Sequence, residues 1–238
     1  LLGAFGNFEM SEPEDPVEVI LRKLGKLGDR HLELGKDMTH AYGGVFYGMD
    51  LLAYGALNRS KAHLSGFTQL IRNRNLVCAG ALLRLQLDTA MRFAAAWQVQ
   101  DPHEFALAVL SGKRVRDLKD QAGRKLTDAH LVALLGAEFA WVPRVYEATS
   151  GYVHLSSVHL HSAITAVDGE GDRQTFEMKI SEIDKEMPAD TYIEAIEAFA
   201  ASTEILLQYV VGWIYTKSNP EAVAAAKRER DLKPSSGT

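Results

Sequence analysis

The chain has 238 residues, a formal net charge of −5 and one cysteine. A chain of this length buries roughly 70% of its unfolded surface and needs no disulfide or metal staple; the lone Cys78 cannot pair internally, so a reducing, cytoplasmic setting is the expectation. Apolar residues at 47% and charged residues at 24% mark an ordinary globular chain, and its mild acidity excludes bulk attraction to nucleic acid or an anionic membrane.

The first methionine is Met10, so residues 1–9 read as a cloning remnant or the edge of a truncation, and with no basic stretch before a long apolar core they do not read as a signal peptide. One domain is expected over residues 10–232, followed by a disordered tail at 233–238. Pro16 opens a first helix, with Val17, Ile20, Leu21, Leu24 and Leu27 at helical spacing as far as about Gly35. Gly43-Gly44 breaks the pattern. A second helix spans about Phe46 to Arg74, with Leu52, Ala56, His63, Phe67, Leu70 and Ile71 on one broad face. The third, Leu76 to Val99, is apolar nearly all round and is predicted to be central and buried.

Asp101-Pro102-His103-Glu104 supplies an N-cap, a proline at the first helical position and an early acid, so a fourth helix starts there and ends near Gly112. The basic residues 113–125 predict a short helix and a turn. Thr127-Asp128 starts a helix closing at Gly136, and Pro143 opens another through about Ser150. The period then changes to two. Residues 158–167 alternate, Asp168-Gly169-Glu170-Gly171 is a turn sequence, and Thr175–Ile180 alternates again, which predicts a β-hairpin over about 158–180. A lone hairpin is marginal, so it must lie on the helices or on a partner chain. Pro188 precedes the longest helix, Ala189 to Lys217, with Ile193, Ile196, Phe199, Leu206, Val210 and Trp213 or Ile214 inward. Asn219-Pro220 opens a last, alanine-rich helix. The predicted class is mainly α, a helical bundle with a small β-hairpin before the penultimate long helix. The longest strongly apolar stretch, within Ile205–Tyr215, is shorter than the roughly 20 residues that span a bilayer, so no membrane is expected.

No phosphate-binding glycine loop, nucleophile elbow or zincin motif occurs, which lowers the standing of nucleotide hydrolases, dinucleotide oxidoreductases, α/β-hydrolases and zinc proteases. Three polar features remain. Arg84, Asp88 and Arg92 fall at i, i+4 and i+8 in the third helix and share one side of it. They read either as an ion-pair network that fixes packing or as an anion-binding pocket, because a guanidinium fork suits phosphate and carboxylate. Tyr146, Ser150 and His154 repeat the same spacing; His154 reads either as a helix-end hydrogen-bonding residue or as a general acid or base. His159 and His161 would share one side of a strand and, with His154, raise a metal reading. No carboxylate or cysteine stands at ligand spacing beside them, so neither metal nor cofactor is expected. The basic run carries no interleaved aromatics and reads as a solvated face.

Asn58-Arg59-Ser60 with Gly66-Phe67, then LLRLQLDTAMR over Leu82–Arg92, then Tyr146, Ser150 and YVHLS over Tyr152–Ser156, resemble uncharacterised bacterial helical proteins of the HEPN-like kind, over roughly residues 50–161. The resemblance implies a helical bundle, usually dimeric, with a polar cleft between the central helix and the histidine-bearing segment. It places ligand binding on Arg84, Asp88, Arg92, Tyr146, Ser150 and His154, and any catalysis on His154, Arg84 and Arg92. Many members are metal-independent ribonucleases of toxin–antitoxin or defence systems, with four to six residues between an arginine and the histidine. Here the nearest preceding arginine is Arg144, with nine residues between it and His154, so Arg84 or Arg92 is the expected substitute. Three functions follow: a module binding a small anionic ligand or nucleotide, a ribonuclease acting on RNA, or a non-catalytic dimerisation protein. A homodimer fits all three.

Overall fold

The computed structural model describes residues 14–169, 173–184 and 187–232, so the expected remnant at 1–9, the tail at 233–238 and part of the 168–171 turn lie outside the described residues. The protein is a mainly helical bundle with one small antiparallel hairpin before its longest helix.

Helix α1 (Pro16–His40) starts where Asp15 Oδ1 accepts the Val17 N–H at 3.0 Å. It runs past Gly35, the predicted end, because Leu34 and Met38 continue its buried face. The chain then turns at Tyr42, Gly43 and Gly44, which have φ of 52°, 66° and 82°. Helix α2 (Gly48–Arg72) buries Met49, Ala53, Leu57, Ser60, Leu64, Phe67 and Ile71. Its inward face is therefore rotated from the predicted one, and His63 stands at its margin. Asn75 caps α3 (Leu76–Ala94) by accepting the Cys78 N–H. The continuation to Val99 becomes a 3₁₀ turn at Ala95–Trp97. Asp101 caps α4 (Pro102–Leu110) through the N–H groups of His103 and Glu104, as its sequence predicts. Helices α5 (Asp128–Glu138) and α6 (Val142–Val153) follow.

Two predicted segments differ. The basic run forms a 3₁₀ turn at Val115–Asp117 and a bridge between Lys119 and Lys125, with no full helix. The first predicted strand is divided: Ser157–Ala163 is a short helix, α7, capped by Ser156, and only Ile164–Asp168 is strand β1. The two-residue alternation of 158–162 meets no partner strand, the pairing with the second strand reaching back only to the Ala163 carbonyl, whereas the Ser156 hydroxyl oxygen accepts the Val158 N–H. His159 and His161 are therefore helical and do not share a strand face. Strand β2 (Thr175–Met178) pairs with β1, matching Val167 to Phe176 and Ile164 to Met178 across a bulge.

Helix α8 (Ala189–Ser218) and helix α9 (Pro220–Leu232) close the chain. Helix α3 is central: α2, α6 and α8 all pack on it, and α1 packs on α8 and α2. Phe67 and Phe199 stack at 4.2 Å between α2 and α8, both fully buried. Each such side chain contributes about 2–3 kcal/mol of burial. Along α8 the choice at the end of the predicted face falls on Trp213, which is buried. Among the described residues no helix is long and apolar enough to cross a membrane.

Candidate functional site

The stripe on α3 occupies a strip of surface left between α2 and α6. Arg92 Nε donates to both oxygens of Asp88, at 2.9 and 2.8 Å, and Arg92 Nη2 donates to Asp128 Oδ1 at 2.8 Å, at the start of α5. Burial alone would lower the Arg92 pKa; the two carboxylates outweigh it and hold the guanidinium above its ordinary value. Arg92 is thus committed to protein acceptors.

Arg84 is held differently. Its guanidinium carbon lies 3.7 Å from the centre of the Tyr146 ring on α6. The nearest carboxylate oxygen, Asp88 Oδ1, is 4.0 Å away, an ion pair beyond hydrogen-bond reach. Only 11% of the side chain is exposed. The ring covers the guanidinium, and no described residue accepts a hydrogen bond from it. The structure therefore joins Arg84, Asp88, Arg92 and Tyr146 in one contiguous group.

Ser150 and His154 stand apart from it. The Ser150 hydroxyl donates to the Tyr146 carbonyl one turn back on its own helix, at 2.7 Å. Tyr152 packs on α3 at Gly80, where a Cβ would come within 2.6 Å of the ring. Since Tyr146 meets Arg84 and Tyr152 meets Gly80, α6 runs antiparallel to α3. His154, the exposed C-cap of α6, lies eight residues beyond Tyr146, roughly 12 Å along the helix. Arg92 is displaced from Arg84 by a similar length in the opposite direction. The expected proton-moving and phosphate-holding residues are spread along the α3–α6 seam rather than gathered at one point.

On the α2 side, residues that the stripe did not include come into play. Arg59 Nε donates to Thr89 Oγ1 at 3.0 Å, and His63 Nδ1 is 3.2 Å from Gln86 Oε1. Burial and the charge of Arg59 lower the His63 pKa against the opposing pull of Gln86 and Asp88. Behind them runs a buried chain of neutral groups: Gln86 Nε2 reaches Ser60 Oγ at 2.7 Å and Thr203 Oγ1 at 3.1 Å, and Ser60 Oγ is 2.8 Å from His31 Nε2. Two signals were present in the sequence: His63 follows Arg59 by four residues, and Gln86 interrupts an otherwise apolar face.

The basic run does not join the site. Asp120 accepts from the Ala122 and Arg124 N–H groups and the Arg124 guanidinium, and lies 2.9 Å from His130 Nε2. Burial would raise its carboxyl, but these donors hold it at about 2. Arg114 pairs with Asp117. An open groove of about 450 Å³ between α1 and α2 shares no residue with the stripe, and its two arginines, Arg22 and Arg72, pair with Glu14 and Glu18. Among the described residues no three His, Cys, Asp or Glu side chains gather closely enough to hold a metal ion.

Comparison of the chain with family models, curated proteins and solved structures found no match.

Proposed function

We propose that the protein is a HEPN-like helical module that binds a small anionic ligand or a nucleotide in the groove over α3, between α2 and α6. The observation that carries this reading is the state of Arg84: a largely covered guanidinium, stacked on Tyr146, with its N–H edge unclaimed by any described acceptor. A covered cation costs free energy unless an anion or dipole meets it, and a ligand phosphate or carboxylate supplies both charge and acceptors. Arg92, paired with Asp88 and Asp128, serves to hold Asp88 in place beside it. Thermal shift against phosphate, carboxylates and mononucleotides tests the reading. A melting-point rise in the wild type that is absent in Arg84→Ala is expected; equal behaviour of the two proteins would overturn it.

The exposed imidazole of His154 supports a second reading, a metal-independent ribonuclease in which His154 moves the proton and Arg84 or Arg92 meets the phosphate. The distance along α6 between His154 and Tyr146 weighs for binding over catalysis. Incubation with cellular RNA in chelator decides: cleavage that vanishes in His154→Ala promotes this reading, and intact RNA retires it.

Either reading includes a homodimer. One side of the hairpin carries Ile164, Val167, Phe176 and Met178, the last three 53%, 54% and 63% exposed, so a second copy has apolar surface to cover. Light scattering that finds only monomer removes the dimer from the proposal.

A further inference from the structure

His63 entered the site through a single contact, and the hydrogen bonds behind that contact fix its chemistry. His31 Nδ1 lies 2.5 Å from the Leu27 carbonyl oxygen, which can only accept, so this nitrogen carries the proton. Burial lowers the His31 pKa and so favours the neutral ring, in which Nε2, the nitrogen facing Ser60, is the acceptor. Ser60 must then donate its hydroxyl proton to His31 Nε2 at 2.8 Å, and its oxygen must accept from Gln86 at 2.7 Å. Thr203 donates its own hydroxyl proton to the Phe199 carbonyl at 2.9 Å and accepts from the same Gln86 nitrogen. Both hydrogens of the Gln86 amide are thereby assigned, and its oxygen is the atom that faces His63 Nδ1. The His63 proton therefore sits on Nδ1. Its Nε2 presents a lone pair that no described residue bonds and that is not sealed from solvent.

We infer that His63 is the hydrogen-bond acceptor of the groove and selects an anion that carries a hydroxyl beside its charge, such as a ribonucleoside 3′-monophosphate. This rests on the proposed binding role of Arg84 and deepens it. Arg84 supplies the only unclaimed guanidinium of the α3 stripe. The imidazole, fixed on the α2 side of α3 by Gln86, two residues from both Arg84 and Asp88 in sequence, supplies an acceptor and no free donor, and Asp88 lies 4.0 Å from Arg84. Bare phosphate satisfies Arg84 and leaves the His63 lone pair to water. A phosphate ester with a neighbouring hydroxyl satisfies both. The buried chain from His31 to Gln86 keeps the acceptor ready without any rearrangement when the ligand arrives.

Calorimetry on the full chain at neutral pH tests this with three ligands: a ribonucleoside 3′-monophosphate, its 2′-deoxy counterpart and inorganic phosphate. The ribonucleotide is expected to bind the wild type about five- to tenfold more tightly than the deoxy form, the value of one hydrogen bond to a partly open acceptor. His63→Phe should bind both nucleotides alike, and Arg84→Ala should weaken all three ligands. Equal binding of the two nucleotides to the wild type, or a preference that survives in His63→Phe, overturns the role of His63 and leaves the anion site standing. Failure of every ligand to bind overturns the site and the inference together. Nitrogen NMR of the wild-type histidines reads the tautomer without a variant. His63 should show a protonated Nδ1 and a bare Nε2 whose signal moves with the ribonucleotide only; the opposite tautomer overturns the inference.

Discussion

Two buried polar clusters stabilise this bundle by different means. Midway along it, Gln86 joins Ser60, Thr203, His31 and His63 in a neutral chain in which every donor inside the protein meets an acceptor. At one end, Asp50 and Lys217 form an ion pair whose side chains are fully buried, 3.1 Å apart. Lys217 also donates to the Met38 carbonyl, and Asp50 also accepts from Trp213 Nε1 and the Tyr47 N–H. The neutral cluster reaches the surface at His63, which is half-buried. The charged one is sealed, and beside it lies His103 Nδ1, the buried side-chain atom without a hydrogen bond among the described residues. Burying neutral groups costs little once they are paired, so such a cluster can reach the surface at one edge. Burying charges demands full enclosure, because each charge is tolerated only through the other.

Breaking the charged cluster gives the largest expected effect. Lys217→Met leaves Asp50 buried without its cation and should lower the unfolding free energy by about 3–5 kcal/mol in a denaturant titration. Adding Asp50→Asn to that variant should recover part of the loss. If the single and double variants are equally damaged, packing rather than charge holds that end. Gln86→Leu comes next. It strands the Ser60 and Thr203 oxygens and His63 Nδ1, and about 1–3 kcal/mol should go by the same titration. A loss as large as that of Lys217→Met would show that the two clusters do not differ as argued. Tyr146→Leu removes the aromatic face under Arg84 and should cost about 1 kcal/mol or less of stability, while weakening the thermal shift given by phosphate.

The smallest effect is on pH. Burial, offset in part by the Leu27 carbonyl and reinforced by Lys61, lowers the His31 pKa; burial and Arg59 do the same at His63. The unfolded chain then binds more protons than the folded one below the ordinary histidine value of about 6.5. Stability should therefore fall as the pH drops from about 7.5 to 5.5, read as denaturation midpoints. His63→Phe should show a shallower decline.

The helices were legible because their signals are local. Asp101 with Pro102, Asn219-Pro220 and the apolar spacing of Ile196, Phe199, Leu206 and Val210 each act within a few residues, and each holds in the fold. Ser157–Ala163 was misread as strand because alternation over a short run fits either period, and what decides is whether a partner strand exists. The Arg84–Asp88–Arg92 stripe was readable from spacing alone. Its division into one guanidinium hydrogen-bonded to two carboxylates and one set against an aromatic ring was not, since that depends on Asp128 and Tyr146, which lie 36 residues from Arg92 in the first case and on a separate helix in the second. The part of His63 was hidden for the same reason: its tautomer is set by a partner 23 residues away, which is itself fixed by another 117 residues away.

The Asp50–Lys217 pair spans 167 positions of sequence. Through it the last turns of α8 are tied to the start of α2 and, by way of the Met38 carbonyl, to the end of α1, so three helices from opposite ends of the chain meet at one enclosed charge. A clip that closes so long a loop makes the two ends of the sequence thermodynamically dependent on each other: loosening the end of α8 also exposes the junction of α1 and α2.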